Sequence, residues 1–381
     1  MNSAERHEAR YQRRKAKRLA KRQAFNAEYD DFDKALNRNA LSKACHDAAL
    51  SVSWKSSVKR FRHRKIINIK KLSDKLEKGR SVHKNFICFV LIERGKLRYI
   101  MSVRFSERVV HKAICQNVLY PVLTRNLIYD NMANQKGKGT HLARRRVKDF
   151  LVWHYRRYGR DGYVLTIDFK SYFENLDHGV IRQILRENLT EERILIVCEN
   201  QLDDYARYYG RPVGLGLGSE QNQIYAVVAP NKLDHFIKEK LGIKCYLRYM
   251  DDSILIHPSK LYLEECLKEI REVAAQYGFI INEKKTGIAK LSHGFTYLKT
   301  QYKLTETGHV VMKPVRTSIT RERRKLKKQA ALFRAGELSL ADVTQSYQSW
   351  RGSLLDRDAY RTLKKMDNYF DSLFRGGENH E

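Results

Sequence analysis

Apolar residues change their spacing several times along the chain, and each change marks an element. Between Asn85 and Val103, the β-type runs Phe86–Ile92 and Tyr99–Val103 flank Glu93-Arg94-Gly95-Lys96, which predicts a β-hairpin. A helical pattern follows over Glu107–Leu127, then a Gly-Lys-rich loop at Gln135–Thr140 and a helix over His141–Tyr158. Tyr163–Asp168 reads as a buried strand ending on a carboxylate, and Asp177–Leu189 as a capped helix. A second hairpin is expected over Cys245–His257, with Asp251-Asp252 exposed and close together at its tip. Helix Leu261–Tyr277 then leads to a strand at Phe279–Ile281 and a Lys-rich turn. After Val315 the pattern is helical and basic, and the last seven residues read as frayed.

Charge changes the picture most at the N-terminus. Residues 1–23 hold nine Lys or Arg and two Glu with almost no large apolar side chains, a basic helix or arm that cannot form its own core and would order on RNA. Short helical patterns continue to Glu77, and the basic run Lys55–Lys71 interleaves Trp54, Phe61, Ile66, Ile67 and Ile69, so it can pack and still bind phosphate. Lys plus Arg total 74 against 43 Asp plus Glu, a net charge of +31 that points to a polyanionic partner. A solvated basic surface or a membrane-surface protein explains less, because the positive charge is spread through all parts of the chain. The cysteines at 45, 88, 115, 198, 245 and 266 form no CxxC pair or zinc-type spacing and read as reduced core thiols. No apolar stretch approaches the roughly 18 residues of a membrane span, so no membrane partner and a cytoplasmic location are expected.

The candidate chemistry lies where apolar strands end in acids. Tyr249-Met250-Asp251-Asp252 sits between Cys245–Arg248 and Ser253–Ile256, and paired acids there are costly unless a cation neutralises them. Asp168, at a second strand end, supplies a third carboxylate for the two-metal arrangement that phosphoryl transfer uses. An Asp-Asp pair alone also suits a solvated turn; the strand-acid-acid-strand frame favours a site.

Tyr249–Asp252 resembles the YxDD signature of reverse transcriptases, and Asp168-Phe169-Lys170-Ser171-Tyr172-Phe173 resembles their first aspartate motif, in the same order. The resemblance implies Asp168 and Asp251 as the main ligands of two Mg²⁺ ions, with Mn²⁺ the alternative, Asp252 in support and Phe169 beside the metals. Phe173 matches the aromatic gate that excludes a 2′-hydroxyl, against the plainer reading of an ordinary core Phe. Gly214–Gln223 resembles the template- and nucleotide-contacting segment, with Leu217 where many relatives carry Gln and Asn222-Gln223 in place of a Ser-Pro or Ser-Gln pair. Lys96 and Arg98 resemble the pair that grips the triphosphate, as a point charge and a fork. Lys285, in Asn282–Thr286, matches the lysine that protonates pyrophosphate, although a solvated turn lysine explains it as well. Gln135–His141 matches a further family segment, with Gln135 where Arg is common. Phe295–Lys299 resembles the primer-grip hairpin with Lys299 where a Gly is usual, and the C-terminal basic helices resemble a thumb.

The resemblance runs from about Asn85 to Phe374 and is closest to bacterial reverse transcriptases of diversity-generating retroelements and related defence-associated groups. It implies an α+β right-hand polymerase with an antiparallel palm sheet and a helical basic thumb. The expected division is a basic RNA-binding extension at 1–80, fingers at 81–160, palm at 161–300 with a fingers portion around 179–213, and thumb at 301–381. The implied partners are a structured RNA template, a DNA or RNA primer, dNTPs and an accessory protein. The alternatives are an RNA-templated RNA polymerase, which Phe173 opposes, and a non-enzymatic RNA-binding scaffold.

Overall fold

The computed structural model describes residues 3–93 and 95–374, with the side chains of Ser3, Ala4 and Lys96 outside that set. The expected fraying of the last seven residues therefore lies outside the described residues. The chain divides into two compact units: Met1–Lys136, Asp168–Gly242 and Lys268–Asn282 form the first, and Gly137–Ile167, Ile243–Leu267 and Glu283–Glu381 the second.

The first unit opens with α1 (Ser3–Tyr29), α2 (Phe32–Ala35), α3 (Arg38–Ala49), α4 (Ser56–His63) and α5 (Lys65–Glu77). Asp31 and Asn37 restart the helix after each break, their side chains accepting from the Lys34 and Ala40 N–H groups. The predicted hairpin follows as β1 (Ile87–Glu93) and β2 (Lys96–Ser102), paired antiparallel from Ile87↔Ser102 to Glu93↔Lys96. It forms a sheet of its own, and residues 87–92 are exposed on both sides of the pleat. Cys88 is therefore exposed, which corrects the expectation of six core thiols; the other five are buried.

Buried Val109, Val110, Ala113 and Ile114 recur along α6 (Phe105–Ile114), which packs on α3 and runs through a π-helical turn at Cys115–Leu119 into α7 (Tyr120–Thr124). Two elements that belong mainly to the second unit intervene, α8 (Thr140–Tyr158) and β3 (Tyr163–Asp168). The first unit then resumes with α9 (His178–Asn188), α10 (Glu192–Tyr209), α11 (Glu220–Val228) and α12 (Asn231–His235). Asp177 caps α9 as predicted, accepting from the N–H groups of Gly179 and Val180.

The second unit is built on a four-stranded sheet. The expected hairpin forms β4 (Cys245–Tyr249) and β5 (Asp252–His257), and α13 (Lys260–Gln276) leads towards β6 (Gly287–Lys290). The strand order is β4-β5-β3-β6, with α8 packed on β4 and β5. β6 pairs antiparallel with β3 from Tyr163↔Lys290 to Thr166↔Gly287. The strand expected at Phe279–Ile281 does not form: the segment makes a single bridge, Phe169↔Ile281. Its apolar run is short and only half useful for burial, Phe279 being 5% and Ile280 53% exposed.

A three-stranded antiparallel sheet follows, β7 (Phe295–Tyr297), β8 (Thr300–Leu304) and β9 (Val310–Pro314). Thr300, Tyr302 and Leu304 point inward and Gln301 and Lys303 outward. Basic helices close the unit, α14 (Arg316–Arg334), α15 (Leu340–Gly352) and α16 (Tyr360–Phe374), around Leu326, Val343, Tyr347, Met366 and Phe370. Arg321, Arg323, Arg324, Lys327 and Lys328 remain exposed on α14. Among the described residues no helix is long and apolar enough to cross a membrane.

Candidate active site

The aspartate hairpin turns through two residues, because Tyr249 pairs with Asp252. Met250 takes a left-handed φ of 57° at the first loop position, as a primed hairpin turn requires, at a cost of about 1–2 kcal/mol for a non-glycine residue. Fully buried Arg248 holds the turn by donating from Nη1 to the Met250 carbonyl at 3.0 Å. On the other strand, the Tyr297 hydroxyl donates to the Asp252 carbonyl at 3.1 Å. Burial pushes the Tyr297 phenol well up, and the Asp252 charge adds to that shift. Asp251 and Asp252 are half-buried rather than exposed as expected, and Tyr249 is half-buried too. Arg248 was missed in the sequence; the available signal was one cation inside the apolar run Cys245–Tyr249.

Asp168 closes β3 and is 6% exposed. Asn282 grips it twice, through Nδ2 to Oδ1 at 2.7 Å and through its backbone N–H to the Asp168 carbonyl at 2.8 Å. In the sheet β3 and β5 are neighbours. The Phe169 ring is buried against Tyr172 and Phe279, with centroids 5.8 and 5.3 Å apart, so only the Phe169 backbone is open to chemistry. The bridge to Ile281 uses the Asp168 carbonyl and the Lys170 N–H, which leaves the Phe169 carbonyl on the opposite edge. Ser171, at φ 46°, then turns the chain into Tyr172–Glu174, where Phe173 is half-buried.

The glycine-rich segment lies along this turn. The N–H groups of Gly214 and Leu215 donate to the carbonyls of Leu176 and Phe173, each at 2.8 Å. A Cβ at Gly216 would meet Tyr205 at 2.7 Å and Met101 at 2.8 Å, so only glycine fits beside the end of β2. Buried polar groups fix the segment from behind: Asn222 Nδ2 donates to the Gly216 carbonyl at 2.8 Å, and Gln201 Nε2 donates to Asn222 Oδ1 at 2.9 Å and Ser219 Oγ at 3.2 Å. His111 Nδ1 lies 3.1 Å from Ser219 Oγ, and burial pushes its imidazole down to about 4. Asn222 is thus a structural bracket, whereas exposed Gln223 accepts from Asn134 at 2.7 Å and Leu217 is half-buried. Sequence reasoning missed the roles of Gln201 and His111, whose partners lie 18 to 108 residues away in the chain.

On the finger-like hairpin, Arg98 Nε pairs with Glu93 at 2.6 Å, an exposed contact of about 0–1 kcal/mol that a phosphate can displace. The Lys96 side chain lies outside the described residues. Lys285 is exposed in the turn before β6. The primer-grip-like turn closes without glycine, Leu298 and Lys299 both being left-handed at φ 45° and 60°. The structure therefore groups Phe173 with Gly214–Gly218 in the first unit and Tyr249–Asp252 with Tyr297 in the second.

Residues 82–302, more than half of the chain, match the family described as reverse transcriptase (RNA-dependent DNA polymerase). The chain belongs to the reverse transcriptase family. Its α+β, right-hand polymerase fold class follows from that membership. Among solved structures, apo telomerase from Candida tropicalis truncated of its C-terminal domain is 17% identical, with a TM-score of 0.47 over 61% of this chain and 56% of that one. Telomerase from Candida albicans with a fragment of telomeric RNA is 12% identical, with a TM-score of 0.48 over 80% and 62%. The chain thus spans just over half to three-fifths of those telomerase chains. No curated protein matches significantly.

Divalent metal is the general cofactor of reverse transcriptase domains. Among the described residues no group of three or more His, Cys, Asp or Glu is gathered as in an all-protein metal centre. The candidate donors, carboxylates and one carbonyl, are hard oxygens that suit Mg²⁺, which takes one or two carboxylates and completes its shell with phosphate and water.

Proposed function

We propose that the protein is an RNA-directed DNA polymerase that copies a cognate structured non-coding RNA into cDNA within a diversity-generating retroelement or an anti-phage defence system. The observation that carries this reading is the strained, Arg248-braced turn that presents Asp251 and Asp252, inside the span matched by the family. Asp168, Asp251, Asp252 and the Phe169 carbonyl would hold the two Mg²⁺ ions, which when bound activate a primer 3′-hydroxyl and neutralise the triphosphate. Asn282 would orient the Asp168 carboxylate. Phe173 acts as the sugar gate, Leu217, Gln223 and Tyr249 contact the template and nucleotide, Lys96 and Arg98 hold the triphosphate, and Lys285 donates a proton to pyrophosphate. Fingers at 81–160, palm at 161–300 and thumb at 301–381 carry these roles, with residues 1–80 as an RNA-binding extension. The partners in this reading are the structured RNA template, a DNA or RNA primer, dNTPs and an accessory protein, in the cytoplasm.

Primer extension on a primed RNA template tests it. Wild type is expected to incorporate dNTPs in Mg²⁺, while Asp168→Ala and Asp251→Ala lose synthesis and retain RNA binding. Full synthesis in either variant, or incorporation of NTPs in preference to dNTPs, overturns the reading.

A further inference from the structure

The basic N-terminal segment is a formed helix with a root. Arg22 Nη2 donates to the Glu187 carbonyl at 2.6 Å, Asn26 Nδ2 to the Asn188 carbonyl at 2.9 Å, and the Arg125 guanidinium lies 3.7 Å from the Phe25 ring centroid. These contacts fix the C-terminal end of α1 on the first unit. Towards the N-terminus the helix is not sealed against that unit: a cleft of about 480 Å³ opens between Lys15, Arg18, Leu19 and Arg22 on one side and Lys232 and His235 on the other.

The cations of α1 are not scattered. Arg6, Arg10, Arg13, Arg14, Lys17, Arg18 and Lys21 follow helical spacing, and at 3.6 residues per turn they share an arc of about 140° and a length of about 22 Å. All seven are exposed, and none has an ion-pair partner among the described residues. Five like-charged pairs stand four residues apart along this stripe, at 6/10, 10/14, 13/17, 14/18 and 17/21. Such pairs oppose helix formation, so the arrangement works against the helix unless a polyanion lies along it.

We infer that α1 is a rigid outrigger whose cation stripe tracks the phosphate backbone of double-stranded RNA outside the copied template–primer. The inference rests on the proposed RNA-copying reading only for the identity of the polyanion as RNA. No candidate catalytic residue lies on α1. Its only large apolar residues between Glu5 and Lys21 are Tyr11 and Leu19, too few for the inserting face of a membrane-surface helix. The stripe's only aromatic surface is His7 within it and Tyr11 at its edge, too little to stack the successive bases of a single strand. A straight row of cations instead suits the regular backbone of an A-form duplex, which proteins recognise by shape and phosphate.

The test measures binding of the full chain to a blunt RNA duplex and to oligouridylate of equal length, as a function of salt. One variant, Arg10→Gln/Arg14→Gln/Lys17→Gln/Lys21→Gln, neutralises the stripe. A second inserts two alanines after Arg14, which keeps every charge and turns the two halves of the stripe about 200° apart. Circular dichroism verifies the helix in both. The neutralised variant is expected to lower the salt slope on duplex by about 3 to 4, since each lost contact removes about 0.9. The register variant is expected to lower it by about half as much with its net charge unchanged. A wild-type slope in the neutralised variant, wild-type binding by the register variant, or tighter binding of oligouridylate than of duplex overturns the inference. Primer extension on a short generic template runs in parallel: its absence in wild type counts against the polymerase reading, while the duplex slopes still decide the role of α1.

Discussion

Asn282 meets both the carboxylate and the carbonyl of Asp168, so one residue fixes where the candidate ligand points and how the strand leaves it. Outer partners of metal-binding carboxylates typically change metal affinity or activity by about 10- to 100-fold when removed. Asn282→Ala is therefore expected to weaken Mn²⁺ binding by about tenfold or more, read by electron paramagnetic resonance, and to slow primer extension in step; unchanged Mn²⁺ affinity would remove Asn282 from the site. Phe173, half-buried where Leu215 bonds to its carbonyl, is the candidate sugar gate. Phe173→Val should reduce discrimination against ribonucleotides by about tenfold or more in competitive incorporation, on the scale of losing a few methylenes from a pocket. Unaltered sugar selectivity would make Phe173 a packing residue. At this scale the acids were legible because each stands at the end of an apolar strand. Their supports were harder to read: Arg248 shows only as one cation inside an apolar run, and Asn282 reaches Asp168 from a segment 114 residues away.

Among the elements, α6 carries the most informative buried group. His111 faces Ser219 Oγ, is 6% exposed, and is held neutral with a pKa pushed down to about 4 by burial, the charge of His83 adding to the effect. Buried Glu107, on the same helix, meets the His83 ring at 2.8 Å, and burial raises its carboxyl. The unfolded chain binds a proton at His111 near its ordinary value of 6.5, above the folded value, so the neutral form favours folding at higher pH. Stability from this residue is full above about pH 6.5 and is lost as pH falls towards 4, by about 3 kcal/mol in total. Glu107 acts in the opposite sense, its raised folded pKa costing stability as pH rises through it. Denaturation at pH 7 and pH 5 should show His111→Gln losing less stability on acidification than wild type; equal losses would mean that another group dominates. Element types were largely readable, since the hairpins, capped α9 and the C-terminal helices follow periodicity and caps. The strand misread at Phe279–Ile281 came from counting apolar residues without knowing that Ile280 faces solvent. Nothing in the pattern around Cys88 says that residues 87–92 would be exposed.

Across the whole molecule the net charge of +31 predicts, under the proposed reading, RNA binding governed by backbone charge. If six to ten phosphates are neutralised at once, raising salt from 50 to 200 mM should lower RNA affinity by about 10³- to 10⁵-fold. Fluorescence anisotropy across that range checks it, and a salt-insensitive complex would mean that binding is not governed by backbone charge. Family-level architecture was legible in the order of the acid motifs and the basic C-terminal helices. The division into two units was not, because each is assembled from three separated stretches of chain. That interleaving has a consequence for synthesis on the ribosome. The first unit needs residues as late as Asn282, and the second unit's sheet needs β6, at Gly287–Lys290. Domains that fold during translation usually do so from the N-terminus as each is completed. Here some three-quarters of the polypeptide must emerge before either unit can close, so a long nascent intermediate carries exposed core surface and the hairpin's bare strand edges, and a premature stop before residue 282 leaves no finished unit behind.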